Sequence, residues 1–289
     1  MPANMEQDGI HIRVGHSPDP DDAFMFHALT TGAFKTPGRT YEHVLLDIQT
    51  LNEKALTKEY EISAVSIHSF PRIVDDYVLM NCGASMGEGY GPMLISNSPI
   101  DEMEAKTRKI AIPGLDTSAY LALRLAWGEV EVEVVPFDEI LPAVKEGIYD
   151  VGLIIHEGQL TWKDEGVHLV LDLGVWWNEK TGLPLPLGGN VVRRDLGEDL
   201  CLQLSQDVKR SIEHSLENPE AALEFAKSWG RGIDDDTNRE FVQMYVNKRT
   251  LDYGPDGRDA IRLFLKEGQR IGMIDAALET DSIEFIGVE

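Results

Sequence analysis

One series of segments occurs twice in this chain, and that repetition restricts the fold more than any other feature. In the first pass "HIRVGH" reads as a strand, "SPDPDD" as a loop and "AFMFHALTTG" as a helix closed by glycine. "EHVLLDI" then reads as a strand, "QTLNEKALTKE" as a helix and "YEISAVSI" as a strand ending at His68. The second pass runs "RKIAI", "PGLD", "TSAYLALRLAWG", "VEVEVVPF", "DEILPAVKEG" and "YDVGLII", and it ends at His156. Short apolar runs bounded by turn residues mark buried parallel strands, and their alternation with helices marks βαβ units. A repeat this long does not suit a solenoid and suits two similar α/β lobes.

The alternative is that any doubly wound sheet offers such strings, and the connections separate the two readings. "GPMLISN" (91–97) and "PLPLGGNVVRRD" (184–195) are extended, Gly/Pro-punctuated stretches on either side of the second series, and two such crossings make a two-strand hinge. The expected lobes are residues 1–96 with 190–289, and residues 97–189. Beyond Asp195 the pattern turns helical, with Leu200, Leu202, Leu204, Val208 and Ile212 at helical spacing. "PEAALEFAKSWG", "DDDTNREFVQMYVNKRT" and "GRDAIRLFLKEGQRIG" continue it with Pro, capping residues and terminal Gly. These helices are expected to cover the first lobe, in a structural role.

The chain has 289 residues and a formal charge of −24. That charge argues against nucleic acid and anionic membrane as partners, since both demand clustered Lys and Arg. A small anion is still admissible where a helix N-terminus supplies amides. Cys82 and Cys201 lie far apart and match no metal spacing. No metal site is expected. The first twenty residues hold no apolar core of signal-peptide length, and no segment approaches the ~18 apolar residues of a spanning helix. A cytoplasmic protein is expected; whether two chains associate is not written in the sequence.

Candidate site residues gather at the ends of the strands, where open α/β sheets keep their ligands. His156 is either a hydrogen-bonded structural histidine or a base, and Glu157 beside it either pairs with it or faces solvent. In "GLDTSAY", Thr117 and Ser118 are either plain caps or, with the exposed amides of the helix, a carboxylate cradle. The matching loop "SPDPDDAF" carries Ser17, Asp19, Asp21 and Asp22, without the Gly and terminal Glu of a calcium loop. These aspartates either cap and take up water, or meet a substrate hydroxyl or make a structural contact across the cleft. Ser66 and His68 close the matching strand of the first lobe. Trp176 and Trp177 either pack at the hinge or stack on a planar ligand. There is no G-x-G-x-x-G, Walker loop or G-x-S-x-G elbow, which leaves acid/base chemistry without a cofactor, or binding alone.

The blocks "SPDPDDAFMFHAL", "LDIQTLNEKAL", "IPGLDTSAYLAL", "EILPAVKEGIYDVGLIIHEGQLTW", "GVWWNEKTGLPLPLGGNVVRRDLG" and "YVNKRTLDYG" together resemble the dihydroxynaphthoate synthases of the futalosine route to menaquinone, in order and over nearly the whole chain. The resemblance implies the fold of type II periplasmic binding proteins, two α/β lobes closing on a ligand, in a cytoplasmic lyase that uses no cofactor. It implies a carboxylate-bearing aromatic substrate, cyclic dehypoxanthine futalosine, from which the sugar-derived portion is eliminated. By the same resemblance His156 is the base and Thr117 and Ser118 hold the carboxylate; from their places at the strand ends, Ser17, Asp19, Asp22, Ser66 and His68 are expected to complete the site. The family loop usually reads S-P-C-P-N-D, so Asp19 and Asp21 are departures, and Ala64 stands where the family carries lysine. Other readings of the same fold are a solute-binding protein and the related chorismate dehydratase.

Overall fold

The two series fold alike, strand for strand, in a computed structural model that describes residues 9–156, 158–228 and 234–287. The first comprises β1 (Ile10–His16), α1 (Pro20–Thr30), β2 (Arg39–Leu45), α2 (Ile48–Ala55) and β3 (Ile62–Ser66). β4 (Tyr77–Met80), β5 (Ser85–Gly87), β6 (Met93–Ser96) and α3 (Glu102–Ala105) connect it to the second. That second series is β7 (Ile110–Ile112), α4 (Ser118–Trp127), β8 (Val132–Val134), α5 (Phe137–Lys145) and β9 (Val151–Ile154). α6 (Gly158–Thr161), β10 (His168–Asp172), α7 (Leu173–Thr181) and β11 (Leu185–Arg193) follow. The chain ends with α8 (Glu198–Glu217), α9 (Pro219–Lys227), α10 (Asp235–Tyr245), α11 (Lys248–Leu251), α12 (Gly254–Arg270) and β12 (Phe285–Ile286).

One sheet has the order β12-β4-β11-β3-β1-β2, with β5 also on β11, and the other has the order β10-β6-β9-β7-β8. In each, the first strand of the series lies between its two parallel partners, β1 between β2 and β3, and β7 between β8 and β9. An antiparallel strand from beyond a crossing then extends each sheet: β11 pairs with β3, and β6 with β9. The stretches expected as hinge linkers are these two strands themselves. Strand pairing therefore puts Met93–Ser96 in the second sheet, where the expected boundary at 96 had them in the first lobe. Leu185–Gly189 pair in the first sheet, where the boundary at 190 had them in the second. Pro186, Gly188 and Gly189 sit within β11, which carries a register shift between Pro186 and Gly188, whereas Gly91, Pro92 and Pro184 precede their strands.

The chain passes between sheets at residues 88–92 and 173–184, and the two passages pack closely. A Cβ at Gly174 would lie 1.9 Å from the Tyr90 carbonyl oxygen, so only glycine fits there. Trp177 is fully buried beside them, donates from Nε1 to the Pro184 carbonyl at 2.9 Å and meets Phe264 edge-on. It packs at the crossing.

α1 is buried along nearly its whole length, Pro20 to Leu29, because α8 and α9 lie against it with Leu204, Val208, Ile212, Ala222 and Ala226. A helix that is apolar all round needs such cover. Each of Phe24, Met25 and Phe26, removed from water here, contributes about 1.5–3 kcal/mol. The cover fixes the start of α1, and hence the aspartate loop, at the carboxyl end of β1.

Candidate functional site

The loop between β1 and α1 is organised by its own polar groups. The Ser17 amide donates to Asp22 Oδ2 at 2.8 Å, and the Asp19 amide donates to Ser17 Oγ at 3.3 Å. Pro20 opens α1 with Asp19 at the capping position, but the Asp19 side chain makes no capping hydrogen bond. It reaches instead to the other half of the molecule, where its Oδ2 lies 3.1 Å from His156 Nδ1. Asp19 is 2% exposed at its side chain and His156 20%, so the pair is largely withdrawn from solvent.

His156 lies two residues beyond β9 and has φ of +55°. A non-glycine residue in the left-handed region is strained and recurs at functional sites. Besides Asp19, Phe137 and Gln159 hold it, the Gln159 backbone N–H donating to the His156 carbonyl at 3.1 Å. The Phe137 ring meets the imidazole edge-on at 4.9 Å. With the Gln159 amide turned so that Nε2 donates to Tyr245 Oη (2.7 Å) and to the Gly91 carbonyl (2.8 Å), its Oε1 accepts the His156 N–H at 3.1 Å. This orientation serves both ends of the amide, whereas the opposite one serves only the tyrosine. Glu157 lies outside the described residues.

Around this pair is a cavity of about 110 Å³ between the two sheets, lined by Ser17, Asp19, Asp21, Asp22, Ser66, Thr117, Ser118 and His156 among others. Thr117 caps α4: its hydroxyl accepts the Tyr120 amide at 3.2 Å and donates to the Gly114 carbonyl at 2.8 Å. Ser118 Oγ donates to the Leu187 carbonyl at 2.6 Å and accepts the His68 amide at 3.1 Å. Both hydroxyls are therefore engaged within the protein, and what this wall offers besides them is the first turn of α4 with its outward amides. Ser66 accepts from Asn52 Nδ2 at 3.1 Å, which leaves its own O–H to donate.

His68 holds the place after β3 that His156 holds after β9, yet it does not line the cavity. Its ring is buried, Nδ1 lies 3.2 Å from the Thr117 carbonyl, and burial is the first cause of a lowered pKa. It ties the halves together, as do Arg72 and Gln49, which both reach Asp116. The expectation of His68 as a ligand contact has no counterpart in this geometry, because the chain after β3 turns into the contact with α4.

The aspartates are electrostatically crowded. No lysine or arginine is among the described residues lining the cavity. Burial pushes the Asp22 carboxyl up to about 6, opposed by its Ser17 hydrogen bonds and reinforced by Asp19. Burial first, then Asp22 and Asp19, push Asp21 well above the carboxylate range.

Residues 12–270 match the menaquinone biosynthesis family. A 1,4-dihydroxy-6-naphthoate synthase of Thermus thermophilus is 39% identical over 263 residues, which cover 91% of this chain and 95% of that protein. The chain belongs to the menaquinone biosynthesis family. A solved structure of a protein from Archaeoglobus fulgidus agrees with it at a TM-score of 0.88 and 40% identity, over 94% of this chain and all of that one. The alkanesulfonate-binding protein of Xanthomonas axonopodis, at 10% identity, has a TM-score of 0.70 over 94% of this chain and 96% of its own. That likeness shows the fold: this family member has the two lobes expected from the repeat, in the periplasmic-binding-protein architecture that the resemblance implies.

Within this family fold, several cavity residues escaped the sequence reading. Phe241 and Tyr245 come from α10, a helix expected only as cover. Gln159 follows His156, and Asn190 lies in β11 opposite Ala64. Only Asn190 left a signal, a lone polar residue inside an apolar stretch. No group of three metal-ligating side chains occurs among the described residues, and no described helix is long and apolar enough to cross a membrane.

Proposed function

We propose that this chain is a 1,4-dihydroxy-6-naphthoate synthase, a cytoplasmic lyase that takes cyclic dehypoxanthine futalosine and eliminates its sugar-derived portion. The observation that carries this reading is the contact of His156 Nδ1 with Asp19 at 3.1 Å inside the cavity. A carboxylate on Nδ1 keeps the proton on that nitrogen and leaves Nε2 as the basic one, which is what a general base requires. Asp19 thus serves as the positioning partner of His156 rather than as a ligand contact. Because Asp19 comes from the β1–α1 loop and His156 from the far side of the cleft, the base is complete only when the lobes meet.

The substrate carboxylate fits the first turn of α4 at Thr117 and Ser118, with the Ser66 hydroxyl beside it, since no lysine or arginine is among the described residues lining the cavity. Proton removal and departure of a leaving group exchange no electrons with the protein, so the reaction runs without a cofactor. The cavity volume of about 110 Å³ is below the ~300 Å³ of common small-molecule sites; the lobes must part to admit a bicyclic substrate and close to exclude water. Incubation with cyclic dehypoxanthine futalosine is expected to yield dihydroxynaphthoate by mass spectrometry. Substrate left intact by folded protein would refute the reading.

A further inference from the structure

Two buried polar atoms in the cavity wall, outside the His156–Asp19 pair, have no hydrogen-bond partner among the described residues: Asp21 Oδ1 and Asn190 Oδ1. Such atoms are costly to leave unsatisfied, and proteins that keep them in a binding cavity keep them for a ligand. Both are tightly placed. Asp21 is 7% exposed and Asn190 1%. Asn190 Nδ2 donates to the Gly83 carbonyl at 3.1 Å, and Gly83, at φ +75°, has no Cβ to displace it. The amide is thereby oriented with its oxygen as the free end.

The protonation of Asp21 follows from its surroundings. Asp19 Oδ2 faces His156 Nδ1, and Asp22 accepts the Ser17 amide at 2.8 Å, a partner that favours the ionised form of Asp22. Asp21 has a 3.5 Å contact from Ser85 Oγ and weak contacts from its own amide and that of Asp22, which burial and the neighbouring carboxyls outweigh. The titratable groups around it are Asp19 and Asp22 on its own loop and helix, Tyr245 from α10, and His156 beyond Asp22. With no lysine or arginine among the described residues of the wall, neighbouring buried carboxyls do not all ionise, and the one with the weakest partners keeps its proton.

We propose that Asp21, as a neutral carboxyl, donates and Asn190 Oδ1 accepts hydrogen bonds to a hydroxyl of the substrate, so that this wall selects an alcohol-bearing group. This rests on the functional reading above and adds a subsite to it. The polyol end of the substrate lies here, and its carboxylate lies at α4, away from the aspartates. A donor–acceptor pair of this kind discriminates strongly against a ligand lacking the hydroxyl, because both protein groups would then stay unpaired.

Two readouts test it. Infrared spectra of the free protein at neutral pH are expected to show the carbonyl stretch of a protonated carboxyl that persists in Asp22→Asn and vanishes in Asp21→Asn. Absence of the band, or its survival in Asp21→Asn, would overturn the proposal whether or not the enzyme reading holds. With cyclic dehypoxanthine futalosine, Asp21→Ala is expected to raise KM about thirtyfold, and Asp21→Asn, which keeps a neutral donor, only about threefold. Asn190→Ala is expected to raise KM about tenfold; its unfolding midpoint is recorded because the Gly83 contact is lost as well. An unchanged KM in Asp21→Ala would overturn the subsite. A parent protein that makes no product would overturn the functional reading and the hydroxyl assignment with it, while the infrared band would still decide the state of Asp21.

Discussion

His68 and His156 occupy the same place in two halves of one fold, and they have opposite fates. Each lies two residues beyond the third strand of its series. His68 is buried against the α4 cap and ties the halves together. His156 stands in the cavity at φ +55°, with a carboxylate from the other half on its ring. The preceding helix starts differ in the same way: α1 opens with three aspartates, α4 with Thr117 and Ser118. A duplicated scaffold places side chains in pairs, and the loops decide which of each pair meets ligand.

The largest effect that would sharpen this contrast is on turnover. His156→Asn is expected to lower kcat about 10³-fold, as loss of a general base does. His68→Asn is expected to cost less than tenfold, acting through the interlobe contact; equal losses would break the comparison. Next in size, Asp19→Asn is expected to lower kcat about a hundredfold with KM nearly unchanged, since it removes the group that orients His156 rather than a ligand contact. A rise confined to KM would return Asp19 to the substrate.

The third effect is on stability and pH. The Asp22 carboxyl is raised from 3.8 to about 6 in the folded protein, with burial as the first cause. The folded state therefore holds a proton that the unfolded chain releases. Its contribution is full below about pH 4 and is lost as pH rises through about 6. Asp22→Asn removes this dependence, and its melting temperature is expected to gain on the parent between pH 4 and 7 in a calorimetric series. A gain toward acid would contradict the assignment. The smallest effect belongs to the neutral loop: Thr117→Ala removes a cap and is expected to cost about 1 kcal/mol in denaturant unfolding.

Much of this was legible in the sequence, and what was hidden is non-local. Apolar runs between turn residues marked β3, β7 and β9, and capping residues marked the start of α4, whereas α1 begins at Pro20, inside the stretch expected as a loop. β2 was placed three residues late, at 42 rather than Arg39, because its exposed alternation is weak beside the apolar "VLLDI" that follows. The strand role of the two crossings was hidden by their Gly and Pro. Asp19 was readable as a cavity residue, but its bond to His156 joins positions 137 residues apart in sequence, and no local pattern reports that. The left-handed backbone at His156 was equally invisible, since glycine is the usual sign of such a turn and is absent there.

That backbone also supplies the most direct test of the central claim. His156→Gly relieves the strain at φ +55°, so the variant should fold, and it leaves a space where the imidazole stood. Turnover of cyclic dehypoxanthine futalosine by His156→Gly is measured with increasing free imidazole. The account predicts product formation about 10³-fold below the parent without imidazole, rising in proportion to added imidazole as an external base takes over. A variant as active as the parent, or a folded variant that imidazole leaves inactive, would contradict it.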